Sequence, residues 1–246
     1  MQRYKMTIAY DGTDFHGWQH QPGLRTVQET VRQSLIHTFA QPVQLQGASR
    51  TDAGVHAEGQ VAHFDVDSRI PLERMAMAIN ARLPADVEVR EVQPVADDFD
   101  ATRDAVDKQY CYRIWNADRR PLGLRHQVYH YWVPLDAERM NQAAGRIVGE
   151  HDFAGFATAG HGRLSTVRTV HTCEVQRHAD QVHLTVSGSG FLYNMVRIIT
   201  GTLIEVGRGK WPPEHVDRIL AEADRRLAGP TVPPGGLCLQ WIAYDA

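Results

Sequence analysis

The sequence predicts an α+β protein of two ferredoxin-like-type lobes, each with a mainly antiparallel sheet, that meet at a central cleft. Its 246 residues, of which 43% are hydrophobic, suffice for one large core or for two of about 100–150 residues each. In the first half, stretches with period-two alternation and stretches with helical periodicity follow in the order β-α-β-β-α-β, which is the ferredoxin-like order. The second half is a longer variation on this order, without a detectable sequence repeat.

The first half opens with a strand over residues 3–10, whose alternate side chains are apolar on one face. A polar loop follows, and the helical spacing of apolar side chains then predicts a helix from Val27 to Phe39. Thr26 and Glu29 have the spacing of a capping box at the start of that helix. We therefore expect reciprocal side-chain hydrogen bonds at this helix terminus.

Alternating apolar side chains at 43–45 and 62–66 predict two strands joined by a displayed turn. A second helix is expected over 71–83, because proline favours the first helical turn and a further proline follows the apolar stripe. A strand over 87–92 completes the order. The N-terminal lobe is therefore predicted to span residues 1–103.

Acidic side chains accumulate between residues 97 and 107, and they mark the crossing to a C-terminal lobe predicted over 104–246. The elements of this lobe follow from the same periodicities. Strands are expected at 109–115, around 129–131, and at 167–177, 181–188 and 237–244, helices at 137–148, 191–206 and 213–226, and a loop at 151–166.

The composition limits the location and the partner. No apolar run reaches the length of a signal peptide or of a membrane span, so we expect a soluble cytoplasmic protein. The three cysteines lack metal-binding spacing and no HExxH-like pair occurs, so no metal is expected. Residues 108–210 hold 13 basic and 8 acidic side chains, which suits either a polyanionic partner or an ordinary solvated surface.

The displayed turn between the two strands carries the first candidate site. Arg50, Asp52 and Gly54 lie in it, and an aspartate on such a turn can act as nucleophile or general base without a metal. An aspartate before Ala-Gly is also ordinary in turns, where its carboxylate caps backbone amides. The residues alone leave both interpretations open.

The second candidate site is a tyrosine pair on the first strand of the C-terminal lobe. Alternation places Tyr110 and Tyr112 on the same face, next to a basic end. Such pairs are typical of a sheet core, but a tyrosine ring can also stack on an unpaired base of single-stranded RNA. Both roles are open on the residues alone.

The third candidate is Arg197, the single charged residue between Gly188 and Ile204. Apolar side chains recur at helical spacing around it. A guanidinium among such neighbours is costly unless it meets an anion or reaches solvent with its charged end. No acid lies nearby in the sequence, so an anionic partner would have to be remote.

Three strings carry a resemblance to a known family. They are GASRTDAGVHA at 47–57, KQYCYR at 108–113 and GSGFLYNMVR at 188–197, and shorter matches extend over nearly the whole chain. In this order they resemble the three motifs of the tRNA pseudouridine synthase A family. The resemblance implies isomerisation of uridine to pseudouridine at tRNA positions 38, 39 and 40, in the anticodon stem-loop, by a homodimer that needs no cofactor.

The resemblance also implies roles for individual residues in a catalytic cleft between the lobes. Asp52 is the expected nucleophile, and Arg197 is expected to pair with it and to keep it ionised. Tyr110 is expected to pack on the extruded uracil, and Arg50 to fill the gap in the stack or to hold a phosphate. Leu192 is expected among the substrate-binding residues, although its spacing also places it in the core.

Two other classes of function are open. A nucleoside or glycoside hydrolase would use Asp52 as nucleophile, but it would need a second carboxylate, which no motif supplies. A non-catalytic RNA-binding module would account for a ferredoxin-like lobe and for 23 arginines among 26 basic residues, but not for the isolated Arg197. His16, His56 and His161 are further candidates for contact with RNA.

Overall fold

The computed structural model describes residues 1–158 and 165–245. The chain folds as two compact units, of which unit 1 comprises Met1–Val106 and the segment from Cys238 onward, and unit 2 comprises Asp107–Leu237. The last strand thus returns to unit 1, a connection that sequence periodicity cannot indicate. Both units combine helices with mainly antiparallel strands, so the predicted α+β class is confirmed.

The helices and longer strands occur in the order that the sequence predicts. In chain order the elements are β1 (Gln2–Tyr10), α1 (Val27–Phe39), β2 (Leu45–Gly47), β3 (His56–Val66), α2 (Leu72–Asn80), β4 (Val87–Pro94), β5 (Ala105–Trp115), β6 (Tyr129–His130), α3 (Ala137–Gly145), β7 (Gly149–Asp152), β8 (Val167–His178), β9 (Gln181–Gly188), α4 (Met195–Gly207), α5 (His215–Glu222) and β10 (Leu237–Tyr244).

Strand β3 is the centre of unit 1. It pairs antiparallel with β1 along nearly its whole length, with β2 at residues 62–64, and in parallel with β10 at residues 56–57. Strand β4 pairs antiparallel with the other edge of β1, so the order β4-β1-β3-β2 is that of a ferredoxin-like unit. Helices α1 and α2 pack together, and Ser34 Oγ donates to Ile79 O at 2.8 Å between them.

In unit 2, β9 lies between β5 and β8, β7 pairs with β8, and the short β6 pairs in parallel with β5. Helix α3 packs on β8, where Cys173 and Val175 are buried. Within α4 every residue except Arg197 is buried. A helix that is buried on all sides is typical of a protein interior, so α4 forms the core of unit 2.

The predicted capping box at the start of α1 is wrong. Thr26 makes no side-chain cap, and its buried hydroxyl has no hydrogen-bond partner among the described residues. Glu29 instead accepts from Arg32 at 2.7 and 2.8 Å. The first helical N–H, that of Val27, donates to Gly17 O at 3.1 Å. A neighbouring loop therefore caps this helix in place of its own side chains.

Several element boundaries also differ from the prediction. Helix α2 ends earlier than predicted, at Asn80, whose side chain bonds the backbone N–H and C=O of Val89 at 2.7 and 2.8 Å. Helix α4 begins at Met195, because Asn194 has φ 62°, a left-handed conformation that a right-handed helix does not contain. Helices α3 and α5 are shorter than predicted, and β7 begins just after the predicted end of α3 and extends into the expected loop.

Candidate active site

The loop that carries Asp52 follows directly after β2. Its first residues stay bonded to β3, first through the backbone and then through the side chain of Gln60. Ala48 N donates to Val61 O at 2.8 Å, as a ladder hydrogen bond would. At the next position the side chain of Gln60 replaces the backbone, since its Nε2 donates to Ser49 O at 2.7 Å and its Oε1 accepts from Ser49 N at 3.2 Å. Gln60 is fully buried. Ser49 is therefore fixed where the chain turns away from the sheet.

The residues next to Asp52 are fixed as well. The hydroxyls of Tyr10 and Thr51 share a buried hydrogen bond of 2.8 Å, and Thr51 O accepts from Trp18 N at 3.0 Å. On the other side, Val55 N donates to Asp52 O at 3.1 Å and closes a tight turn. The backbone of Asp52 is therefore held from both directions, while its side chain is partly exposed.

A second loop, residues 11–18, packs against this turn and depends on two glycines. A Cβ at Gly12 would lie 2.0 Å from Val55 O. Gly17 has φ +88°, and a Cβ there would lie 2.6 Å from Thr51 O. Two backbones can approach this closely only where side chains are absent. The glycines of the 11–18 loop thus support the loop that carries Asp52.

The three histidines proposed for RNA contact have different surroundings. His56 is buried, and its Nδ1 lies 3.1 Å from Gly12 N and 3.2 Å from Asp11 Oδ1. It therefore helps to join the two loops of the site. His16 is exposed, and His161 lies outside the described residues.

Arg50 lies two residues before Asp52 and is more exposed than Asp52. It is exposed, and its guanidinium makes no hydrogen bond or ion pair within residues 1–158 and 165–245. Unit 1 therefore presents an accessible cation two residues from an aspartate on a fixed turn. An arginine in such a position can bind a phosphate with paired N–H groups.

In unit 2, Tyr110 and Tyr112 both lie on the buried face of β5. Tyr112 is fully buried, and its hydroxyl donates to Pro233 O at 2.7 Å. Burial raises the pKa of Tyr112 well above its usual value, so this side chain stays neutral in the core. Tyr110 is 6% exposed, and its ring meets Phe191 edge-on with 5.4 Å between the ring centroids. Its ring is therefore oriented by an aromatic neighbour.

Arg197 is oriented by neighbours in its own unit. Its Nε donates to Val232 O at 2.8 Å, and its Nη1 donates to Asn194 Oδ1 at 2.8 Å. Asn194 in turn donates through Nδ2 to Thr158 Oγ1 at 3.0 Å. These bonds fix the plane of the guanidinium. Leu192 is buried in the turn before α4, which agrees with a place in the core.

The structure thus groups the predicted site residues in two sets. Unit 1 holds Arg50 and Asp52 on one loop, and unit 2 holds Tyr110, Leu192 and Arg197 around β5 and the start of α4. The supports of the Asp52 loop were not predicted as site residues from the sequence. Tyr10, Gly12 and Gly17 lie in one of the shorter matches to the family, YDGTDFHGWQ at 10–19, and that string was the signal available for them.

The described residues contain neither a membrane-spanning helix nor a cluster of metal ligands. No helix among them is long and apolar enough to cross a membrane. Within the same residues, no group of three or more His, Cys, Asp and Glu side chains is placed to hold a metal ion.

Comparisons with known proteins agree with the resemblance. Residues 6–102 and 143–245 match the family model described as tRNA pseudouridine synthase. The chain is 41% identical over 244 residues to tRNA pseudouridine synthase A 2 of Clostridium perfringens, which covers 99% of this chain and 100% of that relative. It is 44% identical over 245 residues to tRNA pseudouridine synthase A of Ruminiclostridium cellulolyticum, with coverage of 99% and 100%. It is 42% identical over 245 residues to the Bacillus pumilus protein of that name, with 99% of each chain covered.

Proposed function

The chain belongs to the tRNA pseudouridine synthase family, whose members are isomerases that act on tRNA, and from this premise we propose that Asp52 is its catalytic nucleophile. The proposed substrates are the uridines at positions 38, 39 and 40 of the anticodon stem-loop. We also propose a homodimer that works in the cytoplasm. These finer assignments come from the three motifs. The geometry described next supports the assignment of Asp52 as the nucleophile.

One observation carries the proposal, namely that the backbone is fixed on both sides of Asp52 while the residue itself is partly exposed. A nucleophile must meet its target atom in a defined geometry, and a misplacement of about 1 Å can cost about 100-fold in rate. The hydrogen bonds to Ser49 and Thr51 and the turn closed by Val55 supply such a geometry. A turn aspartate that only capped its own loop would not need supports from two distant strands.

The isomerisation of uridine to pseudouridine needs no oxidant, reductant or other co-substrate. The target uridine leaves the helical stack, because its reacting atoms are inaccessible inside it. An Asp52 oxygen bonds to the sugar C1′ or to the base C6, the N1–C1′ bond breaks, and the uracil turns. A C5–C1′ bond then forms, and the bond to the Asp52 oxygen breaks and returns its electron pair to the carboxylate. The C5 proton leaves, and N1 regains a proton. Water must be excluded meanwhile, since hydrolysis would release the base.

The other assigned residues act on the substrate or on Asp52. Tyr110 packs on the extruded uracil, and the edge-on contact with Phe191 supports its orientation. Arg197 keeps the Asp52 carboxylate ionised, which suits a guanidinium with a fixed plane. Arg50 holds a backbone phosphate or fills the vacated stack. Leu192 completes the apolar wall of the substrate pocket.

The deciding experiment uses tRNA transcript with tritium at uracil C5, because the new C–C bond displaces that hydrogen into water. Wild type should release tritium and Asp52→Ala should release none, with little loss of tRNA affinity, because one carboxylate adds no attraction for a polyanion. Asp14→Ala is the matched control, since it removes an exposed acid from the neighbouring loop. Release of free uracil by wild type would indicate a hydrolase, and binding without any release would indicate an RNA-binding module.

A further inference from the structure

The connection between β5 and β6, residues 117–126, carries a concentration of cations that the proposed mechanism does not use. We call it the basic loop. Arg119, Arg120 and Arg125 are all exposed, and none of them has a carboxylate partner within the described part of the chain. Asp118 is the only acidic residue in the loop. Three positive charges are therefore presented to solvent within seven residues.

Several other surface arginines are neutralised by acidic side chains. Arg25 pairs with Asp86 at 2.8 Å, and Arg226 pairs with Asp224 at 2.6 Å. These arginines have acidic partners, whereas none of the three in the basic loop has one within the described residues. Unpaired like charges repel one another, so their clustering indicates an anionic partner that the chain itself does not provide.

The base of the basic loop is fixed to the sheet of unit 2. Trp115 Nε1 donates to Arg119 O at 2.8 Å, and His130 Nε2 lies 2.8 Å from Ala117 O. The arginine side chains therefore extend from an anchored frame. A binding loop that is ordered beforehand loses less conformational entropy when a partner binds.

Three large apolar side chains, those of Leu122, Leu124 and Trp132, are exposed on and beside the loop. Leu122, near its tip, is 72% exposed, and Trp132, at its base, is 64% exposed. The Trp132 ring lies beside His130, with 6.3 Å between centroids, and stacks on Tyr131 at the same distance with an interplanar angle of 25°. One face of a positioned indole is thus supported while much of the side chain remains accessible.

We propose that the basic loop and Trp132 form a tRNA-binding surface additional to the target-uridine site, in which the three arginines bind backbone phosphates and the indole stacks on an unpaired base. The inference rests on the proposed function, since it takes tRNA as the substrate. Arginine suits phosphate geometry, and aromatic rings bind unstacked bases of any sequence. A second copy of this chain fits less well, because a twofold interface centred on the loop would bring its like charges together.

The test of the arginines is the salt dependence of tRNA binding by the full-length protein. Replacing all three with glutamine should weaken binding about 10- to 100-fold near physiological salt, and should reduce the slope of log K against log salt by about 2–3. The matched control replaces Arg69, Arg74 and Arg82 with glutamine, which removes the same charge from exposed, unpaired positions of unit 1. The control should keep the wild-type slope. An equal loss in both triple variants would reduce the effect to net charge and overturn the proposal.

The test of the indole separates stacking from charge. Trp132→Ala should weaken tRNA binding about tenfold with an unchanged salt slope, and Trp132→Phe should restore much of it, because any aromatic face can stack. Met77→Ala is the control, since Met77 is also exposed, at 67%, but lies in unit 1. An equal effect of Trp132→Ala and Met77→Ala would overturn the stacking role.

Tritium release distinguishes failure of this inference from failure of the proposed function. The arginine triple variant should keep the wild-type kcat at saturating tRNA and show a raised KM. If wild type itself releases no tritium, the proposed function fails. If wild type is active but the triple variant binds tRNA with the wild-type Kd and slope, only the additional surface fails. A change in sedimentation with unchanged tRNA affinity would instead make this face an interface between copies.

Discussion

Gln60→Met tests whether the loop that carries Asp52 is held by a side chain. Methionine is unbranched, has nearly the volume of glutamine and suits a buried site, but it cannot bond to Ser49. The change therefore removes the two hydrogen bonds to Ser49, of 2.7 and 3.2 Å, and a third that Gln60 Oε1 accepts from Val61 N at 3.2 Å, and leaves the packing nearly intact. Asp52 keeps its own side chain and loses only its upstream anchor.

The size of the effect follows from those three bonds. Each contributes about 0.5–1.5 kcal/mol net, so the free energy of unfolding should fall by about 1.5–4.5 kcal/mol. For a chain of this length, about 2 kcal/mol lowers Tm by about 4–8 °C. Turnover should fall further, because a shift of about 1 Å in a nucleophile costs about 100-fold. We expect kcat to drop about 10- to 100-fold with little change in KM.

Differential scanning calorimetry and tritium release measure the two losses, and Gln28→Met is the matched control. Gln28 also bonds backbone groups, His20 N at 2.9 Å and Leu45 O at 2.8 Å, but neither belongs to the loop that carries Asp52. It should lose comparable stability and keep its kcat. A normal kcat in Gln60→Met, or equal kcat losses in both variants, would refute the positioning role.

Two further predictions concern stability alone. Gly236→Ala should destabilise the fold by about 1–3 kcal/mol, because the new Cβ would lie 2.7 Å from the ring of Tyr112, whereas Gly123→Ala, with nothing within 4 Å among the described residues, should leave Tm unchanged. The hydrogen bond from Arg32 lowers the pKa of Glu29 from 4.5 to about 2, so this pair stabilises the fold above pH 4.5 and loses that effect as the pH falls toward 2. Glu29→Gln should therefore have a lower urea midpoint than wild type at pH 7 and an equal one near pH 2, and a constant difference would contradict the ion pair.

Periodicity predicted the elements well where burial is one-sided. The bounds of α1 and β10 agree with the sequence prediction, because each carries an unbroken apolar pattern. The start of α4 was misplaced because the apolar pattern continues upstream through Leu192, while Asn194 takes a left-handed conformation that nothing in the pattern indicates. The capping-box prediction was wrong for a related reason, since the backbone of the 11–18 loop, through Gly17 O, accepts the first N–H of the helix and Thr26 makes no cap.

In the candidate site, too, sequence motifs identified some residues, whereas the residues that folding brings together from separate parts of the chain were missed. Motif resemblance picked out Asp52, Arg197 and Tyr110, and their chemical roles stay predictions. The supports of the Asp52 loop were out of reach of sequence patterns, because a glutamine or a tyrosine in a strand is ordinary and periodicity assigns it only to a face. Tyr10 lies at the end of β1 and Gln60 lies in β3, so both reach the loop that carries Asp52 only when these two strands pair.

Those contacts join residues that are separated in the chain, by 11 residues for Ser49 and Gln60 and by 41 for Tyr10 and Thr51. Because these hydrogen bonds hold the loop, the loss of any one of them should shift the position of Asp52. Substitutions at the supports should therefore lower turnover by more than their loss of stability alone would explain. An ordinary core side chain costs stability and leaves the surviving folded molecules fully active. The ratio of the two losses, rather than either loss by itself, separates a side chain that positions Asp52 from one that only packs.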